Sequence, residues 1–266
     1  MDLITAARDA TVIDLAHPLE RGIPVSPNHP GFEIAMMRRH GDMVRSDGGS
    51  AANEMFTLGG HVGTHIDALG HVSQDGRLYG GGDAAAASTN RGLSELGADT
   101  IPMIVTRGVM LDIAGVHGVE TLDPGYEITV DDLNSAEELA GTSVQSGDAV
   151  LLRTGWSSHW DNTDTFRGQT GGAPGPGEPA AEWLLARDIM LAGGETIAFE
   201  VIRPGAGHAT LPVHRRFLVD TGTYIVEVLN LDALAAAKAY VSLFILTPLK
   251  IVGGTGSPSR PIALVS

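Results

Sequence analysis

His61-Val62-Gly63-Thr64-His65-Ile66-Asp67-Ala68-Leu69-Gly70-His71 gathers three of the chain's ten histidines and one aspartate within eleven residues. The pattern is H-x3-H-x-D-x3-H. On an α-helix His61 and His65 would share a face, but Asp67 would stand about 200° round from His65. Gly59, Gly60, Gly63 and Gly70 are also poor helix formers. On an extended chain, positions 61, 65, 67 and 71 have one parity, so their side chains project from one face. Gly63, on that same face, leaves space between the first two imidazoles. Two imidazoles and one carboxylate on one side of a strand suit a divalent metal with positions left open for water and substrate. His61, His65 and Asp67 are therefore the candidate metal ligands, compatible with Zn²⁺, Mn²⁺ or Fe²⁺. His71 is either a fourth ligand or, as we prefer, a proton shuttle beside the water that such a site activates.

The rest of the composition narrows the chemistry. There is no cysteine among 266 residues, which removes disulfides, thiolate zinc sites and a cysteine nucleophile. Lys and Arg number 17 against 32 Asp and Glu, a formal charge of −15 at pH 7. That field repels phosphate backbones and anionic lipid, so neither nucleic acid nor a membrane surface is an expected partner. The longest apolar run, 240–252, is interrupted by Pro248 and Lys250 and is too short to span a bilayer. Asp2, Arg8 and Asp9 do not make the basic head and apolar core of a secretion signal, so a cytoplasmic protein is expected. With 43% hydrophobic and 18% charged residues, a disordered or fibrous chain is ruled out.

Working outward, 35 glycines and 14 prolines spread along the chain predict many short elements joined by tight turns. Residues 1–10 read as a short helix. Strands are expected at 11–15, 34–39, 54–58, 104–112 and 149–153, the last two as short apolar runs of buried type. Residues 224–229 and 240–247 are also β-rich. Thr129 can cap a helix with Asp131 and Asp132 in its first turn. A second helix is expected over 179–190 with Pro179 in its first turn, and a third over 211–220, ending near Gly222. The run 171–179 (GGAPGPGEP) reads as a linker rather than a lid. Trp156, Trp160 and Phe166 are expected to pack rather than to line a pocket, and His208 to lie in a loop. No repeat, composition break or nucleotide-binding glycine signature is present. One α/β domain over residues 1–266 is the expected organisation.

The central stretch resembles the H-x-G-T-H-x-D-x-x-x-H signature of the metal-dependent cyclase family, which includes kynurenine formamidases and isatin hydrolases. The likeness extends along the chain: Ile13-Asp14-Leu15 with Pro18, Arg107-Gly108-Val109 through Asp112, and Gly147-Asp148 through Arg153-Thr154-Gly155-Trp156. The tail is similar too, in Pro248-Leu249-Lys250, Gly253, Ser257-Pro258 and Arg260.

The resemblance implies a swivelling β/β/α fold, a homodimer or larger homo-oligomer, and hydrolysis of an amide or lactam bond in a small molecule. It implies that His61, His65 and Asp67 hold a divalent ion, Mn²⁺ or Zn²⁺, and that His71 is the general acid/base. It further matches His214 and Glu227 to a downstream His/Glu pair, which binds a second ion in two-metal members and otherwise serves substrate or proton relay. On residue grounds alone, Glu227 is as well explained as a core carboxylate satisfied by hydrogen bonds. Leu69 stands where many kynurenine formamidases carry proline. An aryl formamide, an isatin-like lactam and another small cyclic amide or ester all stay open as substrates. Two other functions are weighed: a non-haem Fe(II) oxygenase built on His65, Asp67 and a distant histidine, and a metal-binding protein without turnover.

Overall fold

A computed structural model describes residues 2–266. Its frame is one nine-stranded mixed sheet. In chain order the strands are β1 (Thr11–Asp14), β2 (His65–Asp67), β3 (Ile104–Asp112), β4 (Ala149–Arg153), β5 (Leu191–Gly194), β6 (Tyr224–Glu227), β7 (Val241–Leu246), β8 (Gly256–Pro258) and β9 (Ile262–Val265). Across the sheet they run β1-β9-β7-β3-β4-β5-β6-β2-β8. The central pairs β3–β4, β4–β5 and β5–β6 are parallel, and the flanking pairs are antiparallel.

Strict alternation along the central strands sends side chains into two cores. Val109, Leu111, Val150, Leu152, Ala192 and Ile225 point to one face, where helices supply Leu133, Ala136, Ala181, Leu184 and Phe217. Met110, Leu151, Leu191 and Val226 point to the other, against Leu15, Ile66, Phe244 and Leu246. Both faces are covered, which is why these strands read as apolar runs in the sequence. Among the described residues, no helix is long and apolar enough to cross a membrane.

Most expected elements form. Thr129 caps the helix Val130–Ala140, and its hydroxyl and the Asp132 carboxylate satisfy each other's backbone N–H groups. The first helix spans Leu3–Asp9; Met1 lies outside the described residues. The helix expected over 179–190 occupies Glu178–Leu185 and stops early, with Asp188 in a left-handed turn at φ 54°. The helix expected over 211–220 is a single turn, Pro212–His214, that widens into π-type turns over Arg215–Thr221 before Gly222 ends it at φ 73°.

Two expectations fail. Residues 172–177 are buried rather than a free linker: Gly175–Pro176 pair in parallel with Glu127–Ile128, and a Cβ on Gly175 would lie 2.3 Å from the Phe199 carbonyl. The extended ribbon over 61–71 is also shorter than expected, with only His65–Asp67 in a strand. Trp156 and Phe166 are fully buried in a satellite core that Trp160 flanks, so the aromatic residues pack as expected.

One part of the chain stands off. The hairpin of Glu33–Arg38 and Asn53–Thr57 is exposed along its whole length, including Ile34, Met36, Met55 and Phe56.

Candidate metal centre

β2 lies between β6 and β8. His65 is paired with Glu227 on one side and Pro258 on the other, and Asp67 faces Gly256. Glu227 ends a parallel strand, so the site sits at the carboxyl edge of the parallel region, where backbone diverges and leaves a crevice. His65 and Asp67 project from one face of the strand as their parity predicts, whereas His61 and His71 lie outside it. His61 is brought in by a turn in which Gly63 takes φ 61°, a left-handed conformation that side-chain-bearing residues rarely adopt. A Cβ on Gly63 would meet Leu19 rather than the imidazoles, so this glycine serves the turn and not the spacing of the rings. His71 is returned by a second turn, its N–H donating to the Ala68 carbonyl at 2.9 Å.

The result is a closed cluster. His61 Nδ1 is 2.8 Å and His65 Nε2 3.6 Å from Asp67 Oδ1. His214 Nε2 is 3.7 Å from Asp67 Oδ2 and 3.2 Å from Glu227 Oε1. His65 Nε2 is 3.1 Å from Glu227 Oε2. Two overlapping trios follow, His61/His65/Asp67 and Asp67/His214/Glu227, each with its ligand atoms within 4.8 Å of one another. Asp67 belongs to both.

The donor set fits divalent ions. Bonds of about 2.1 Å at 90–110° would hold neighbouring ligand atoms about 3.0–3.4 Å apart, and the pairs here, at 2.8–3.7 Å, bracket that range. His65 Nε2, Asp67 Oδ2 and Glu227 Oε1 are buried yet have no hydrogen-bond partner. Buried polar atoms are rarely left so, and these three belong to the residues of the two trios. Each imidazole is held by its other nitrogen: His61 Nε2 by the Thr255 hydroxyl at 3.0 Å, His65 Nδ1 by the Gly63 carbonyl at 2.8 Å, and His214 Nδ1 by Glu200 at 2.7 Å. The nitrogens facing the carboxylates are thereby the ones that could ligate an ion in all three rings.

Electrostatics agree with this arrangement. Burial and the charge of Asp67 would raise the pKa of Glu227, but His214 and His65 beside it hold it below its ordinary value. Burial opposes ionisation of Asp67 as well, yet His71, His61 and His65 keep it well below the usual carboxylate range. The two acids stay ionised. In turn the carboxylates overcome burial and raise His65 and His214. His71 differs: burial pushes it down to about 4 despite Asp67, so it is a neutral imidazole at pH 7.

A cavity of about 40 Å³ opens beside the cluster, lined by His61, His65, His71, His214 and Glu227 together with Ser26, His29, His208 and Leu211. The His71 and His61 rings lie 3.9 Å apart, and the His29 ring is 4.8 Å from His61. All six residues singled out in the sequence therefore meet. His208 is in a loop as expected, but it faces this cavity. Glu227 is buried with its two oxygens 3.1 and 3.2 Å from the His65 and His214 rings.

Sequence reading missed His29, Thr255 and Glu200. His29 sits in a proline-rich loop, and Thr255 is remote from the signature. Glu200 precedes His214 by fourteen residues with no motif between them.

Residues 13–201 match the family described as "Putative cyclase". The chain is 29% identical to isatin hydrolase of Roseibium aggregatum over 241 residues, 90% of this chain and 82% of that protein. The crystal structure of a novel cyclase superposes with a TM-score of 0.87 at 28% identity, covering 99% of this chain and 92% of the other. An isatin hydrolase bound to the product analogue thioisatinate superposes with a TM-score of 0.76 at 26% identity, covering 100% and 99%. With most of its length matched in sequence and nearly all of it in fold, the chain belongs to the cyclase family.

Proposed function

We propose that this chain is a divalent-metal-dependent hydrolase that breaks a C–N bond in a small amide or lactam. One observation carries the reading: two His/acid trios share Asp67 inside a buried cluster with unpartnered ligand atoms. It is supported by the likeness to isatin hydrolases in sequence and fold. His61, His65 and Asp67 would hold one ion, and Asp67, His214 and Glu227 a second, with Mn²⁺ or Zn²⁺ the expected metals. When bound, such ions act as Lewis acids that polarise the scissile carbonyl and acidify water.

The protein's own groups do the rest. Neutral His71 takes the proton from the attacking water, and as a strong conjugate acid gives it to the leaving nitrogen. Ile197, Ala198 and Leu211 give the cavity apolar lining. With no cysteine, the attack is by water rather than by a thiolate.

Metal content and a substrate panel test this together. The loaded protein should hydrolyse at least one of an aryl formamide, isatin or a small cyclic amide or ester, and should do so without oxygen. Turnover requiring oxygen and a 2-oxo acid would instead support an iron oxygenase. Metal uptake with no turnover on any panel member would support a binding protein. His71→Ala should keep its metal while activity falls about 10²–10⁴-fold, whereas Asp67→Ala should lose metal and activity together.

We further infer that the protein, acting as one domain over residues 1–266, assembles as a homo-oligomer. The support is the 33–57 hairpin, a two-stranded unit marginal by itself in water that leaves Met36, Met55 and Phe56 more than half exposed. Exposed apolar surface of this kind marks an interaction face.

A further inference from the structure

We propose that Glu200 is a positioning residue for the second ion: it fixes His214 with Nε2 toward Asp67 and Glu227, and makes that seat depend on a carboxylate in a way the first seat does not. The inference rests on the two-ion reading above and concerns a residue outside both trios.

Glu200 is 2% exposed and, among the described residues, pairs with His214 and with no Lys or Arg. Its Oε1 accepts from His214 Nδ1 at 2.7 Å and from the His214 backbone N–H at 2.9 Å, while Oε2 accepts from the Val213 N–H at 3.1 Å. One carboxylate thus satisfies the free N–H groups that open the Pro212–His214 turn and also holds the ring that turn presents. The segment is driven to this placement against its own preference. Phe199, just before Glu200, is buried against Phe217 with φ 54°, a conformation costly for a bulky residue.

The two seats differ in this respect. The second nitrogens of His61 and His65 rest on neutral groups, the Thr255 hydroxyl and the Gly63 carbonyl. Only His214 rests on a carboxylate, which makes its imidazole the more basic ligand and fixes its tautomer with a charge-assisted hydrogen bond. The Asp67/His214/Glu227 seat thereby gains a third nearby negative charge. Loss of such an outer carboxylate ordinarily weakens metal binding 10- to 100-fold.

The test is Mn²⁺ titration of full-length protein stripped of metal, comparing wild type with Glu200→Gln and Glu200→Asp. Wild type should take two Mn²⁺ per chain, with the electron paramagnetic resonance signature of a coupled pair. Glu200→Gln should keep one at unchanged affinity, bind the second 10- to 100-fold more weakly, and show an uncoupled spectrum. Glu200→Asp should recover part of the loss. A change of scaffold alone would weaken both seats and lower the thermal midpoint of the metal-free protein. Two Mn²⁺ with unchanged affinity in Glu200→Gln would overturn the role of Glu200 and leave the two-ion reading standing. A single Mn²⁺ in wild type would overturn both. Independently of any variant, histidine ¹⁵N–¹H correlation of the Zn²⁺-loaded wild type should show the His214 proton on Nδ1; a proton on Nε2 would refute the assignment.

Discussion

His17 shows how a single side chain ties the outer loop to the site. Its ring stacks on Trp160 at 4.0 Å between centroids, and its backbone N–H donates to the Thr64 hydroxyl at 3.0 Å, one residue before His65. Burial pushes its pKa down from 6.5 to about 4. The unfolded chain therefore binds a proton between pH 6.5 and 4 that the folded chain refuses, so this group erodes stability as pH falls through that window. Denaturant melts of wild type and His17→Phe should diverge there, with the variant lacking an acid-side loss of up to about 3 kcal/mol. Parallel curves would mean that His17 does not titrate this way. Gly256 makes a sharper prediction. It faces Asp67 across the β2–β8 pair, and a Cβ there would lie 2.6 Å from His61 Cε1. Gly256→Val should displace that ring and cut metal affinity at least tenfold, while an unchanged affinity measured by titration would show that His61 is not held as described.

At the scale of elements, the exposed hairpin carries the clearest expectation. Ile34 pairs with Phe56 and Ala35 with Met55, which places apolar side chains on both of its faces. Phe56→Asp should shift the protein toward monomer in light scattering after size exclusion, leaving the secondary structure intact; an unchanged mass would remove the hairpin from the interface. This is also the scale at which sequence reading divides. Central strands such as Ile104–Asp112 and Ala149–Arg153 were legible because burial on both faces makes them continuous apolar runs. Thr129 and Asp132 marked their helix through cap chemistry that is local by nature. His65 and Asp67 were legible for the same reason, since two-residue alternation is a local property. His61 and His71 reach the site by turns, so their common parity was right in outcome but not in cause. His214 and Glu227 were matched only through family resemblance, because β2–β6 pairing joins residues more than 150 positions apart. Glu200 had no local signal at all: its role exists only once the 195–214 segment has folded over β6.

Across the whole molecule, a chain of net charge −15 concentrates three buried carboxylates, Asp67, Glu200 and Glu227, around three imidazoles. Buried anions without compensation destabilise a fold. Here the compensation is incomplete from protein groups alone, as the unpartnered Asp67 Oδ2 and Glu227 Oε1 indicate. Divalent cations should accordingly stabilise the protein as well as activate it, by mass action on the folded state. Anomalous diffraction from Mn²⁺-loaded crystals tests that claim most directly. Two peaks should flank Asp67, one among His61 and His65 and the other among His214 and Glu227. An absence of density at Asp67 under saturating Mn²⁺, or ions bound only elsewhere on the chain, would contradict it.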